Sequence, residues 1–271
     1  VNDNVDERVV RGFGDEWQRF DQSALSHAEL QTMFDAYFRI FPWAALPDNA
    51  EGFDAGCGTG RWAARVAPYV GRLHCIDASE GALSVARRNL APFSNCTFHH
   101  SSVSAMPLAE ASMDFGYSLG VLHHVPDTEA AIAACVAKLK PGAPFLLYLY
   151  YRFDNRPAWY RAIWKSTELL RFVISRSPRV IRHAAADVVA ATVYFPLARF
   201  ARLFNLESFP LSFYRNRSFY VMRNDALDRF GTRLEQRFTR DEMAAMMKRS
   251  GLRDITFSDA APFWCAVGVK A

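Results

Sequence analysis

One stretch constrains this chain more than any other: Asp54-Ala-Gly56-Cys-Gly58-Thr-Gly60. It stands between the apolar run EGFDA and a helical pattern over 60–69. Glycines at alternate positions specify a turn too tight for side chains, or one where backbone meets a ligand closely. Backbone N–H groups at the start of the next helix suit a carboxylate or phosphate. The alternation continues to residue 150. EGFDA, RLHCID, CTFHH, MDFGYSL and APFLLYLYY read as strands, with helices at 60–69, 79–90 and 127–140. Ser79 can cap the second helix, and Pro126 suits the first turn of the third. Repeated strand–helix alternation implies a parallel sheet with helices on both faces.

Outside this stretch the pattern changes. Leu30, Met33, Phe34, Tyr37, Phe38 and Phe41 recur at helical spacing over 26–41, and Pro42 and Pro47 end the run. Residues 152–225 hold 14 of the 38 aromatic residues, with 13 Lys plus Arg against 5 Asp plus Glu, a local charge of +8. The whole chain carries +4, so the remainder carries −4. Helices are expected at 157–175 and 180–205, interrupted by Pro178, Pro196 and Pro210. Thr239-Arg-Asp-Glu242 is a capping box before Met243, Met246 and Met247, and Gly251 is the stop. LRDITFS and FWCAVGVKA follow as two closing strands, seven in all. The expected organisation is an N-terminal arm and helix (1–48), a core (49–151), a helical, aromatic and basic insertion (152–225), and the end of the core (226–271).

The glycine turn is not the dinucleotide fingerprint. GxGxxG would need its third glycine where Arg61 stands, and here it comes at Gly60. Asp54, just before the turn, is an awkward neighbour for a pyrophosphate and a good one for an ammonium group. Asp77 ends RLHCID, 23 residues after Asp54. An acid about 20 residues on, after the second strand, is where a ribose hydroxyl pair is held. A ligand with a ribose and an amino-acid end but no diphosphate satisfies both acids. S-adenosylmethionine is such a ligand.

At DAGCGTG and Asp77 the sequence resembles the class I S-adenosylmethionine-dependent methyltransferases, with a type 11-like domain. The resemblance covers about 50–150 and resumes at about 232–270. It implies an α/β, Rossmann-like, seven-stranded, mostly parallel sheet with a helical insertion between strands five and six. It implies S-adenosylmethionine as cofactor, S-adenosylhomocysteine as product, and no metal. The implied cofactor contacts are Asp54, Gly56, Cys57, Gly58, Gly60, Asp77 and Ala78. After strand three they continue with Ser102, where relatives commonly carry Asp, and Val103. Leu119 belongs to the post-strand-four motif, along the methionine end. Enzymes that methylate base amines carry (D/N/S)PP(Y/W/F) there, and this chain has Ser118-Leu-Gly-Val121 instead.

Other candidates lie around this core. His123 and His124 follow strand four, where a neutral imidazole could deprotonate a hydroxyl. The alternative is a structural role, bonding the loop backbone. Trp17 and Phe20 are expected either to cover the cofactor as a lid or to pin a surface arm onto the helix at 26–41. Relatives build their acceptor pockets in the insertion, which nominates Tyr214 and Arg215 there, with Tyr148, Tyr150 and Tyr151 at the end of strand five leading into it. Three readings of the insertion stay open: a pocket for a flat or anionic acceptor, a membrane-surface contact, or a helical subdomain with solvated arginines.

The expected reaction moves a methyl group to a hydroxyl of a small molecule, sugar or lipid-linked acceptor. Alternatives are C-methylation of a quinol- or polyketide-like ring near the membrane, and a non-catalytic S-adenosylmethionine sensor. No nucleic-acid partner is expected, since the charge is spread and no RNA-binding motif is visible. Five cysteines without a CxxC pair and a polar, acidic start without a signal-peptide pattern fit the cytoplasm, with membrane contact peripheral if present. The longest apolar run, 188–198, has eleven residues and a proline, against about 20 for a transmembrane helix.

Overall fold

The strand-to-helix turns set the architecture of the computed structural model, which describes residues 4–206 and 209–271. In chain order the elements are α1 (Glu7–Arg19), α2 (His27–Tyr37), β1 (Glu51–Ala55), α3 (Ala63–Val66), β2 (Arg72–Asp77), α4 (Glu80–Asn89), β3 (Cys96–His100), β4 (Phe115–Leu119), α5 (Thr128–Lys138), β5 (Pro144–Tyr148), α6 (Ala158–Ile174), α7 (Arg179–Val189), α8 (Phe195–Leu203), α9 (Phe219–Gly231), α10 (Arg240–Arg249), β6 (Leu252–Phe257) and β7 (Cys265–Lys270). Two units result. One takes in the chain up to Gln22, 30–152 and 234–271, and the other takes in 23–29 and 153–233.

The first unit is built on a seven-stranded sheet of order β3-β2-β1-β4-β5-β7-β6. β1 to β5 pair in parallel, and β7 runs antiparallel to β5 and β6. β4 is buried throughout and β1 and β5 nearly so, as expected of strands covered on both faces. One face packs Phe53, Ile76, Phe145 and Leu147 on Ile132 and Val136 of α5 and Met243 and Met247 of α10. On the other face Phe38 meets Tyr117 at 5.3 Å and Phe41 meets Phe115 at 6.1 Å. From β1 the chain winds outward to β3, then returns to β4 and winds the other way. The carboxyl ends of β1 and β4 therefore flank the crevice where ligands bind in such sheets. The seven-stranded, mostly parallel sheet with its helical insertion between β5 and β6 agrees with the sequence reading.

Local signals held at several helix ends. Ser79 accepts from the Ala82 amide at 3.3 Å, and the Thr239–Glu242 capping box closes in both directions. Four details differ. Trp17, expected on a lid or a surface arm, stands on a regular helix, α1, which Asp6 caps by accepting from Arg8 and Val9. The cap of α5 is Asp127, so Pro126 precedes the helix instead of opening it. Pro196 does not interrupt: it sits in the first turn of α8, after a π-helical turn over Ala190–Tyr194. The helical unit closes at Arg233 and not at 225, because α9 is one unbroken helix. Its buried face includes Asn224 and Arg229, which masks its periodicity in sequence.

The second unit is helical. Ile174, Ala190, Tyr194, Ala198, Met222, Ala226 and Phe230 form its apolar cluster. Arg223 grips Asp187 through two bonds of 2.9 and 3.0 Å, and Arg229 pairs with Glu168. Arg179–Leu203 is continuous across α7, the π turn and α8. By length and composition it is long and apolar enough to cross a membrane, the one such helix among the described residues. The apolar run visible in sequence stopped at eleven residues because polar residues flank it.

Candidate active site

The glycine turn is held by the strand beside it. The amides of Gly56 and Cys57 donate to the Ile76 carbonyl at 2.8 and 2.9 Å. Asp77 clamps the next residues: Oδ2 accepts from the Gly58 amide at 2.9 Å and Oδ1 from the Ser79 amide at 2.8 Å. Gly56, Gly58 and Gly60 all have positive φ. A Cβ on Gly56 would lie 2.4 Å from the Val121 side chain, so the turn admits no larger residue there. Ala78 follows Asp77, and its carbonyl faces His100 Nε2 at 3.0 Å.

Two carboxylates meet at this turn, Asp54 buried and Asp77 half-buried. Asp54 is 1% exposed, and burial pushes its pKa well up. Tyr117 beside it opposes that rise, and Asp77 adds to it. Tyr117 and Asp54 are neighbours, but neither the phenol oxygen nor Asp54 Oδ2 closes a hydrogen bond of normal geometry. Asp77 is also pushed up by burial, against the lowering effect of its two amide bonds. A carboxylate has about four lone-pair sites, so two acceptor sites of Asp77 remain beyond those bonds. For Cys57, a hydrogen bond with Cys75 pulls the thiol down, but burial and the two carboxylates outweigh it, to about 11.

Beyond β3, Ser102 and Val103 open a short 3-10 turn. Ser102 Oγ is buried without a hydrogen-bond partner, and Val103 is buried beside it. Leu119 closes β4, where Ser118 Oγ donates to the Ala55 carbonyl at 2.7 Å and ties β4 to β1.

The histidine pair lies on the 3-10 turn Leu122–His124 just after β4. His123 is fully buried, and neither ring nitrogen has a hydrogen-bond partner. Burial holds its pKa well below the ordinary histidine range, helped by His124 and Arg237, so the ring is neutral. It stacks on Tyr150 with centroids 3.9 Å apart. His124 Nδ1 donates to the Leu234 carbonyl at 2.8 Å. The two rings therefore differ: His124 bonds backbone and His123 does not.

α1 brings aromatic rings to the same place. A Cβ on Gly58 would sit 3.3 Å from Trp17 Nε1, so the indole lies over the glycine turn. Phe13 stacks on Trp17 and lies 4.8 Å from His124. Gly14 and Gly81 let α1 approach α4, with 3.5 Å between a Cβ on Gly81 and the Gly14 Cα. The segment is tied at both ends, by paired bonds between Asn4 and Asp127 and by Asn89 donating to the Asp21 carbonyl. Phe20 is fully buried.

Sequence reasoning missed Tyr37, Glu235 and Arg237 as members of this cluster. Tyr37 meets Tyr148 edge-on at 5.1 Å, and Tyr148 meets Tyr150 at 5.9 Å. Arg237 donates to Glu235 at 2.7 Å and to the Tyr151 carbonyl at 3.2 Å, with its guanidinium 5.1 Å from the Tyr150 ring. Burial lowers the Arg237 pKa, but Glu235 and the tyrosines raise it further. The signal available was the alternation Glu235-Gln-Arg237 before the capping box. The Tyr151 ring packs 5.8 Å from Phe263 and 6.2 Å from Trp264. Tyr214 and Arg215 belong to the helical unit, where Tyr214 packs on Tyr194 at 5.2 Å and the Arg215 carbonyl accepts from Arg199. No group of three His, Cys, Asp or Glu able to hold a metal occurs among the described residues.

Comparison with known proteins decides what this turn belongs to. A family described as "Methyltransferase domain" matches residues 53–142, from the middle of β1 to the approach to β5. The chain carries a class I S-adenosylmethionine-dependent methyltransferase domain. A ubiquinone biosynthesis O-methyltransferase of Hahella chejuensis is 36% identical over 115 residues, which cover 42% of this chain and 46% of that protein. Another, of Thiobacillus denitrificans, is 31% identical over 158 residues, covering 57% and 63%. The chain thus spans less than two thirds of the length of these relatives. Among solved structures, a Thermotoga maritima S-adenosylmethionine-dependent methyltransferase, described as a possible histamine N-methyltransferase, aligns over 96% of this chain and 99% of its own. The TM-score is 0.54 and the identity 14%, a likeness of fold. The methyltransferase domain and its sheet order are thereby fixed, and the acceptor is not.

Proposed function

We propose that this protein transfers a methyl group from S-adenosylmethionine to a hydroxyl of a small-molecule acceptor. The observation that carries the proposal is the fully buried, unpartnered His123, on the turn that follows β4, the strand paired with β1 and its glycine turn. When bound, the cofactor supplies a methyl group already activated by its sulfonium.

The residues at the turn fit that cofactor. Asp77 has acceptor sites left for ribose hydroxyls beyond its two amide bonds. Asp54 has a buried carboxylate oxygen without a partner, suited to an ammonium group. Ser102 Oγ, buried and unpaired, can accept from an adenine amine and fill the role that Asp serves in relatives. Gly56, Cys57, Gly58 and Gly60 line the approach, with Ala78, Val103 and Leu119 as apolar walls.

The protein's remaining work is positioning, exclusion of water and removal of one proton. His123, neutral in its buried setting, takes the hydroxyl proton at a ring nitrogen. Tyr150 holds the imidazole plane by stacking, and the Glu235–Arg237 pair holds Tyr150. His124 is a positioning residue, its Nδ1 committed to the Leu234 carbonyl. Trp17 covers the glycine turn, and Phe20 anchors the end of that cover. The O-methyltransferase relatives are consistent with a hydroxyl acceptor. We assign Tyr150 to the acceptor side.

The test is transfer of labelled methyl from S-adenosylmethionine into small molecules of a cell extract. Label in a small-molecule ether supports the proposal. Label in an amine or ring carbon would reject the hydroxyl acceptor. Cofactor binding with no transfer to any extract fraction would favour a sensor.

A further inference from the structure

Among the described residues, 18 large apolar side chains stand exposed, and all but Tyr69 belong to the helical unit. Apolar residues scattered singly over a surface are ordinary; a concentration on one set of helices is not.

The arrangement is inside-out. α6 presents Trp159, Ile163, Leu170 and Val173 at helical spacing along one exposed face, with Leu169 beside them at 74% exposure. Its half-buried face carries Thr167, Glu168 and Arg171, which bond Arg229 and the Thr232 carbonyl. The rod of α7 and α8 repeats the pattern. Ala186, Ala190, Tyr194, Ala198 and Ala201 form its buried stripe, while Val180 is 78% and Leu203 77% exposed. A helix at a water-facing surface turns its large apolar residues inward. These turn theirs outward.

Charge on the same surface selects the occupant. Arg161, Lys165, Arg176, Arg179 and Arg202 are exposed, and Asp154 is the exposed acid of this unit among the described residues. The Arg176 guanidinium, just past the end of α6, lies 3.6 Å from the Phe172 ring centroid. Large apolar groups interleaved with bases are what an anionic bilayer surface accepts: the former enter the acyl boundary and the latter meet phosphate headgroups.

We propose that the exposed face of α6, α7 and α8 docks this protein on an anionic lipid surface, with the helices lying in the interface. A second copy of the chain is a poorer occupant, because a two-fold contact would set these bases against one another. A spanning arrangement is also poorer. The small-residue stripe of α7–α8 is packed in the unit's own cluster, and Asp187 is held by Arg223.

Flotation of the full chain with vesicles tests this, and its readout is independent of methyl transfer. Vesicles of phosphatidylcholine and phosphatidylglycerol should carry the protein, and phosphatidylcholine alone should carry at least tenfold less. The triple variant R161E/K165E/R176E should lose at least tenfold in partitioning. Leu169→Ser with Leu203→Ser should lose a similar factor, with unchanged circular dichroism. Equal binding to both vesicle types, or to neither, would overturn the proposal. So would resistance to alkaline carbonate, which marks a spanning helix, or a dimer in light scattering that Leu169→Ser dissolves while vesicle binding is absent.

Discussion

The two units differ in what they leave unsatisfied. The sheet unit hides Phe53, Phe115, Phe145 and Ile76, and leaves buried polar atoms of Asp54, Ser102 and His123 without partners at one end of its strands. The helical unit has a smaller core, with Ile174, Tyr194, Met222 and Phe230 among its alanines, and leaves 17 large apolar side chains exposed. Unsatisfied polar atoms inside a protein cost stability, and exposed apolar faces cost solubility. Each unit therefore carries its cost where a binding partner would relieve it: a small polar ligand in one, an apolar and anionic surface in the other.

Stability measurements can break this contrast. Phe145→Ala should cost about 3–5 kcal/mol by denaturant titration, as for a large core aromatic. Phe200→Ala, on the exposed face of α8, should stay within about 0.5 kcal/mol. Similar costs at both sites would show that the outward face of α8 is packed and not exposed. Within the sheet unit, His123→Ala should lower kcat by about 10²-fold, the weight of a general base, and leave S-adenosylhomocysteine affinity within about twofold. A loss below tenfold would return His123 to a structural role.

Two smaller effects follow from buried charge. Asp54 has its folded pKa raised, so between its unfolded value and that raised value the folded state binds more protons, and stability falls as pH rises. At pH 7 that loss is complete to the extent Asp54 is ionised. Asp54→Asn should then raise the melting temperature of the ligand-free protein by a few degrees, roughly 1 kcal/mol, while weakening cofactor binding. His123 is the mirror case. Its folded pKa is depressed, so the unfolded chain binds the extra proton and stability falls as pH drops below about 6.5. His123→Gln should flatten the acid side of a melting-temperature profile, and an unchanged slope would mean the ring is not the neutral, buried group described.

Sequence made some parts of this molecule legible and hid others for physical reasons. The glycine turn, Asp77, the Ser79 cap and the Thr239–Glu242 box were readable because each depends on residues a few positions apart or on a fixed strand–helix unit. α1 escaped because two glycines and several charges obscure its Val9, Phe13, Trp17 and Phe20 stripe, although Asp6 marks its start. α9 escaped because Asn224 and Arg229 lie on its buried face. Glu235 and Arg237 lie in a segment with no periodicity, and only the tertiary fold brings them against Tyr150. The burial that separates His123 from His124 is likewise invisible in two adjacent identical letters.

Calorimetric titration with S-adenosylhomocysteine tests the central claim most directly. The account predicts one site per chain, weakened at least 10²-fold by Asp77→Ala, which removes charged hydrogen bonds and releases the glycine turn. Absence of binding in the unaltered protein, or unchanged affinity in Asp77→Ala, would contradict it.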